Sequence, residues 1–354
     1  MIPTPESVDN AFLTRILQEA GHPGAVVRGF TSEQIGTGQI GKCIRYSLEL
    51  AQDIDGVPRS LVGKFASDDS QSRTTGVQLH NYLKEVNFYR ELRPRLRIST
   101  PRCYYAEIVG DGPEFALFLE DLSPAEQGDQ LGGCSPEIAR AAVLELVGLH
   151  APSWCDASLR GIDWIGEPSP PSNQIIRAIY NANLPGFMER FGASLEADQR
   201  EIIQRLGSVE SGPFGLLRDP FSLVHVDYRL DNLLIDATST PPRVTTVDWQ
   251  TITLGSPLAD VAYFIGAGLL PEDRRKIERD LVREYHAALG LAGVSDYAWN
   301  DCWEDYRRGT FAGIGMTVIA ALLVVQTERG DEMFTAMAQR HSRHALDLGA
   351  GEFL

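Results

Sequence analysis

The feature that most restricts this chain is an interruption. After about residue 125 the apolar residues recur at helical spacing, yet three short strand-like runs break the pattern: Ser222-Leu223-Val224, Leu233-Leu234-Ile235 and Val244–Val247. The second and third, joined by a loop containing Pro241-Pro242, read as an antiparallel hairpin. Asn232 directly precedes that hairpin and Asp248 directly follows it, so the pairing is expected to bring them together at its open end. A carboxamide oxygen beside a carboxylate makes a hard-ligand pair suited to Mg²⁺. Between the first two runs lies His225-Val226-Asp227-Tyr228-Arg229-Leu230-Asp231-Asn232. Its spacing, H-x-D-x-x-x-x-N, sets Asp227 next to the expected metal, where it can accept or orient a hydroxyl proton.

The chain before this point has a different texture. Residues 1–22 read as a helix, followed by an extended segment at 26–30. Cys43 to Leu50 alternates strictly, and Leu61–Ala66, Arg102–Val109 and Phe115–Leu119 read as further strands of a small antiparallel sheet. Residues 68–76 are polar and read as a loop, and Leu79 to Leu92 as a helix. From Ser135-Pro136 onward helices predominate, including separate ones at 296–308 and 310–327. A sheet-rich first part followed by a helix-rich second part is α+β organisation and not an alternating βαβ sheet. The expected division is a lobe at 1–119, a hinge at 120–124 and a larger lobe at 125–354.

Two residues in the first lobe are out of place unless they meet. Lys64 shares its strand face with Val62 and Ala66, and Glu85 sits on the apolar stripe of its helix between Tyr82 and Tyr89. A buried charge is costly unless paired, so an ion pair is expected, with the ammonium directed at nucleotide phosphates. The alternative is two residues snorkelling separately to solvent. Gly36-x-Gly38-x-x-Gly41 fits a dinucleotide-binding turn only if a helix follows; an alternating strand follows instead. A phosphate-covering flap and an ordinary glycine-rich hairpin both remain open. Glu120 and Leu122 occupy the expected hinge, where backbone groups could reach an adenine edge or simply link lobes. His225 reads as a buried, hydrogen-bonded support, and Asp260 as an anchor for the loop. Arg229 could reach a γ-phosphate or be a surface arginine; Asp231 could add a third carboxylate at the metal, with exposure at the surface the expectation. Trp299, Trp303 and Tyr306 with Asp301, Glu304 and Asp305 could wall an acceptor site, but their helical spacing makes core packing the default.

With 32 basic against 48 acidic residues and a net charge of −16, the chain lacks the cationic surplus of nucleic-acid binders and of proteins held on anionic membranes. Five scattered cysteines form neither a zinc pattern nor a disulfide framework. Met1 to Asn10 has no basic start and no apolar core, so no secretory signal is expected and a cytoplasmic location is. The apolar run Phe311–Val325 is shorter than the ~20 residues of a membrane span.

Together these residues resemble the aminoglycoside phosphotransferase and choline kinase-like superfamily, and within it most closely the ecdysteroid-kinase-like phosphotransferases. The likeness rests on His225–Asn232, Val247-Asp248-Trp249-Gln250, Gly255-Ser256-Pro257-Leu258-Ala259-Asp260, Leu149–Trp154, Lys84–Tyr89 and Leu119–Leu122, and covers roughly residues 25–345. The resemblance implies a bilobal protein-kinase-like fold and an ATP- and Mg²⁺-dependent kinase acting on a small-molecule hydroxyl. It makes Asp227 the catalytic base, Asn232 and Asp248 the metal ligands, and Lys64 with Glu85 the phosphate anchor. An amino sugar, a choline-like cation and a steroid-like alcohol all fit as acceptor, and no protein substrate is expected. Val226 stands where many relatives have glycine, a difference expected to matter little. The competing possibility on the same fold is a nucleotide-binding interaction protein with little catalysis.

Overall fold

The computed structural model describes residues 2–36, 40–209 and 218–354. It separates into two compact units: Met1–Arg95 with Thr100–Pro124 and Asp248–Thr251, and Leu96–Ser99 with Ala125–Val247 and Ile252–Leu354.

The first unit opens with α1 (Asn10–Glu19), capped by Asp9, whose carboxylate accepts from the Phe12 amide at 2.7 Å. Then follow β1 (Val27–Ile35), β2 (Gly41–Leu50), β3 (Ser60–Ala66), α2 (Ser70–Gln78), α3 (Asn81–Asn87), β4 (Cys103–Ile108) and β5 (Phe115–Glu120). The strands form one antiparallel sheet in the order β1-β2-β3-β5-β4. Leu13, Ile16 and Leu17 of α1 close one face over Tyr46, Leu48, Leu61, Phe65 and Phe118. The segment expected as a polar loop at 68–76 is largely helical. Asp69 accepts from the Ser72 amide at 2.7 Å, and the helix settles against Tyr82 at Gly76, where a Cβ would lie 2.5 Å from the ring. A side-chain cap therefore overrides weak helical periodicity here. The helix expected through residue 92 is regular only to Asn87 and continues as a π-turn over Phe88–Leu92.

The second unit contains β6 (Glu126–Gln127), α4 (Pro136–Glu145), α5 (Val147–His150), α6 (Pro170–Phe191), α7 (Ala197–Ser208), β7 (Ser222–Val224), β8 (Leu233–Asp236), β9 (Arg243–Thr246) and β10 (Thr253–Gly255). It ends with α8 (Pro257–Gly268), α9 (Pro271–Leu291), α10 (Trp299–Ala320) and α11 (Glu328–Asp347). The hairpin is antiparallel, with Leu233 opposite Thr246, and β6 adds to its edge. β10 pairs with β7, a contact that neither short sequence run signals alone.

Helix α8 is the buried axis of this unit, with Leu258, Val261, Phe264 and Ile265 all removed from solvent. The two helices expected at 296–308 and 310–327 are one: α10 passes unbroken through Gly309 and Gly313. Those glycines permit approach instead of ending a helix. A Cβ at Gly309 would lie 2.6 Å from the Leu258 carbonyl, and one at Gly313 would lie 2.1 Å from the His341 ring. Tyr180, Phe187, Ile202, Leu206, Phe311, Ile314 and Phe334 make a second core between α6, α7, α10 and α11. Among the described residues, no helix is long and apolar enough to cross a membrane.

Candidate active site

In the first unit the chemistry gathers on Lys64. β3 carries it inward, and its Nζ lies 2.7 Å from Glu85 of α3 and 2.8 Å from Asp248 Oδ1. Glu85 is almost fully buried, as Lys64 nearly is. Burial alone would lower the lysine pKa, but Asp248 and Glu85 outweigh it and hold the ammonium well above its usual range. Burial pushes the Glu85 carboxyl up, with Lys64 opposing. The expected Lys64–Glu85 pair is thus present, and Asp248 is an unanticipated second acceptor for the same ammonium.

Asp248 is held by its neighbours in the chain. Trp249 stacks on Phe88 at 3.8 Å between centroids and donates its indole N–H to Thr100 at 2.9 Å. Asn81 donates to the Gln250 carbonyl at 3.0 Å, and the Gln250 amide donates to Asp248 Oδ2 at 3.1 Å. Asp248 itself has φ +67°, a left-handed conformation that aspartate tolerates better than most residues.

The remaining candidates of this unit are placed as follows. Gly36 directly follows β1 with φ +71° and Gly41 begins β2; a Cβ at Gly41 would meet Lys64 Cε at 3.0 Å, so this glycine gives the lysine its room. Gly38 lies outside the described residues. Glu120 ends β5 and its carboxylate accepts from the Arg102 amide at 3.1 Å. Leu122 is half-buried two residues further on, past Asp121, which pairs with Arg45 at 2.7 Å.

In the second unit Asp227 leaves the end of β7 on a loop fixed through its backbone. Asp260, at the start of α8, accepts from the amides of His225 at 2.6 Å and Val226 at 2.9 Å, which is the anchoring role expected of it. His225 is fully buried and its Nε2 donates to the Val247 carbonyl at 3.1 Å, as befits a support. Val226 has φ +73°, a conformation costly for a β-branched residue. Its difference from glycine is therefore not a small one.

Three side chains converge on the Asp227 carboxylate. The Tyr263 hydroxyl donates to Oδ1 at 2.8 Å, the Asn232 amide to Oδ2 at 2.9 Å, and Arg229 Nε lies 3.1 Å from Oδ1. Burial alone would raise the Asp227 pKa; Arg229, the Tyr263 hydroxyl and His225 outweigh it and hold the carboxyl below its usual range. Arg229 is neither a free surface cation nor unpaired, since it also bridges to Asp231 at 2.5 Å. Asp231 is correspondingly only 10% exposed, against the surface position expected of it. Asn232 spends its amide on Asp227, donating also to the Asp227 carbonyl at 2.9 Å, which leaves Oδ1 as its ligating atom. The Val247 amide donates to the Asn232 carbonyl at 3.0 Å, closing the hairpin at the residue before Asp248.

The Asn232 Oδ1 oxygen and the Asp248 carboxylate are each of the hard-donor type that Mg²⁺ takes. Among the described residues no group of three or more His, Cys, Asp and Glu side chains forms a metal cage.

Two residues at this site escape the sequence reasoning. Gln130, 1% exposed, accepts from the Leu230 amide at 3.0 Å and donates to the Ala267 carbonyl at 3.0 Å, tying the loop to α8. Tyr263 is the other; its one signal is a position three residues after Asp260, on the same face of the same helix. Trp299, Trp303 and Tyr306 stack in sequence along α10, with Tyr306 fully buried, so that row belongs at least partly to the core.

A five-stranded antiparallel sheet with its Lys–Glu helix, and a helical unit carrying the Asp227 loop before a hairpin, define the α+β fold of the kinase-like phosphotransferases. Solved structures agree on that fold. A GDP complex of aminoglycoside 2′-phosphotransferase-IIIa aligns over 95% of this chain and 99% of its own, at 13% identity and a TM-score of 0.56. Choline kinase from Cryptosporidium parvum aligns over 96% and 95%, at 12% identity and a TM-score of 0.55. An aminoglycoside phosphotransferase solved with GDP and kanamycin aligns over 97% and 99%, at 13% identity and a TM-score of 0.54. No curated protein sequence matches. Residues 37–292 match the model of the ecdysteroid kinase-like family, and the chain belongs to that family. Family and fold together put it among the small-molecule kinase-like phosphotransferases.

Proposed function

We propose that this protein is an ATP- and Mg²⁺-dependent kinase that transfers the γ-phosphoryl group to a hydroxyl of a small molecule. The observation that carries the reading is the Lys64 ammonium held between Glu85 and Asp248. A lysine fixed in this way is a charged donor for nucleotide phosphates, and both carboxylates favour its charged form against burial. Gly36, Gly38 and Gly41 are assigned to the turn over the phosphates, and the backbone near Glu120 and Leu122 to the base.

Asp227 is assigned to orient the acceptor hydroxyl and take its proton, and Arg229 to keep that carboxylate ionised beside the transferring group. Asn232 Oδ1 and Asp248 are assigned as protein ligands of Mg²⁺, which when bound neutralises phosphate charge. Because phosphoryl transfer asks little covalent chemistry of the protein, the contribution of these residues is position and charge. The acidic surface implied by the net charge of −16 favours a neutral or cationic acceptor over an anionic one. Relatives of the fold solved with kanamycin, or named for choline, support testing those classes first.

The test is ADP release from Mg·ATP and Mg·GTP against a panel of amino sugars, choline-like amines and steroid alcohols. One or more acceptors should raise turnover, and Asp227→Asn should lower kcat by about 10²–10⁴-fold with nucleotide binding retained. An Asp227→Asn protein as active as the wild type would remove the residue from its role.

A further inference from the structure

We infer that Tyr263 is a positioning residue for phosphoryl transfer, fixing which face of the Asp227 carboxylate remains open to the acceptor. This rests on the proposed kinase reading and extends it to a side chain that the loop motif does not contain.

The argument begins with the acceptor capacity of a carboxylate, about four lone-pair sites. Asn232 takes one on Oδ2, Tyr263 one on Oδ1, and Arg229 lies within 3.1–3.2 Å of both oxygens. About one direction is left for a hydroxyl. Asn232 and Arg229 belong to the same loop as Asp227 and would move with it. Tyr263 does not: it projects from α8, the buried axis of the unit, and is 1% exposed. It is thus the donor that ties the carboxylate to the rigid part of the molecule.

Tyr263 is itself held. The His341 ring of α11 stacks on it at 5.1 Å and 25°. His341 in turn lies against Gly266 of α8 and Gly313 of α10, where a Cβ would sit 2.9 Å and 2.1 Å from its Nδ1. The phenol ring therefore has no room to swing, and its hydroxyl points at one oxygen of Asp227. The same helix delivers Asp260 to the loop backbone three residues earlier, so α8 fixes both the course of the loop and the orientation of its carboxylate. Without the Tyr263 hydroxyl, Oδ1 keeps only its contact with Arg229 and the carboxylate loses its one restraint from α8, so the direction it offers an acceptor is less sharply set. Nucleotide binding does not depend on that choice.

The experiment uses the full chain and single-turnover phosphate release from Mg·ATP with water as the acceptor. Tyr263→Phe should slow release about tenfold while ATP affinity stays within about twofold and Tm within a few degrees. Asp227→Asn should slow release at least as much, and the double variant should be no slower than Asp227→Asn alone, because the tyrosine acts only through that carboxylate. A protein labelled with ¹³C at tyrosine Cζ should also show a slowly exchanging Tyr263 hydroxyl proton that shifts in Asp227→Asn. A Tyr263→Phe protein with wild-type release beside an inactive Asp227→Asn overturns the positioning role alone. So do multiplicative losses in the double variant. If neither water nor any acceptor of the panel draws phosphate from Mg·ATP on the wild type, or if Asp227→Asn is as fast as wild type, the kinase reading falls and the positioning role with it.

Discussion

Acidification should unfold this protein partly through His341. The ring is fully buried, and among the described residues neither of its nitrogens has a hydrogen-bond partner. Burial drives its pKa from 6.5 down to about 3, and the neighbouring His344, Arg340 and Arg274 add to the shift. The folded-state value is depressed, so the unfolded chain binds a proton that the folded chain refuses. Stability is complete above about pH 6.5 and falls as pH drops from there toward about 3. One pH unit in that window is worth about 1.4 kcal/mol, so a change from pH 7.5 to pH 5 should cost ~2 kcal/mol, and pH 3 ~4 kcal/mol. The perturbation is His341→Phe, which keeps a flat ring over Tyr263 and cannot titrate. Urea unfolding of both proteins at about pH 7.5 and about pH 5 gives two differences in unfolding free energy. Whatever the variant costs by shape at neutral pH, its deficit should shrink by ~2 kcal/mol at pH 5. Equal losses in both proteins on acidification would refute the argument, because His341 would then carry none of the titration.

Other perturbations follow from the same coordinates. Gly313→Ala puts a methyl 2.1 Å from the His341 ring, and should destabilise by about 1–3 kcal/mol or more in thermal unfolding. Val226→Gly relieves a left-handed β-branched residue and should stabilise by about 0.5–1 kcal/mol after the extra chain entropy of glycine is counted. A lower Tm for that variant would contradict the strain. Lys64→Ala leaves Glu85 and Asp248 without their shared cation, and should cost on the order of 3 kcal/mol in denaturant titration, with loss of ATP binding by calorimetry.

What could be read from the sequence was what periodicity exposes. Lys64 and Glu85 stood out because each occupied an apolar face, and a charge on such a face needs a partner. Asp260 and His225 were legible in the same way, as polar residues inside apolar runs. Tyr263 was not, because α8 is buried on every side and a tyrosine among buried residues breaks no pattern. The continuity of α10 was hidden by its glycines, which look like breaks in sequence and are contact points in space. Asp231 was expected at the surface because nothing local reveals that Arg229 turns back onto it. Val226 was judged by its chemistry, whereas its φ of +73° is imposed by hydrogen bonds from a residue 34 positions away.

Those hydrogen bonds bear on how the loop can change. Asp260 grips the amides of His225 and Val226, and Gln130 grips that of Leu230. An amide is the same in every residue but proline, so these restraints do not register which side chains the loop bears. The path of residues 225–230 is thereby set largely from outside, with the His225 and Tyr228 side chains as its internal supports. The backbone restraints alone would return Asp227 to one place under many exchanges of its neighbours' side chains. Proline at 225, 226 or 230 is the substitution this arrangement cannot absorb.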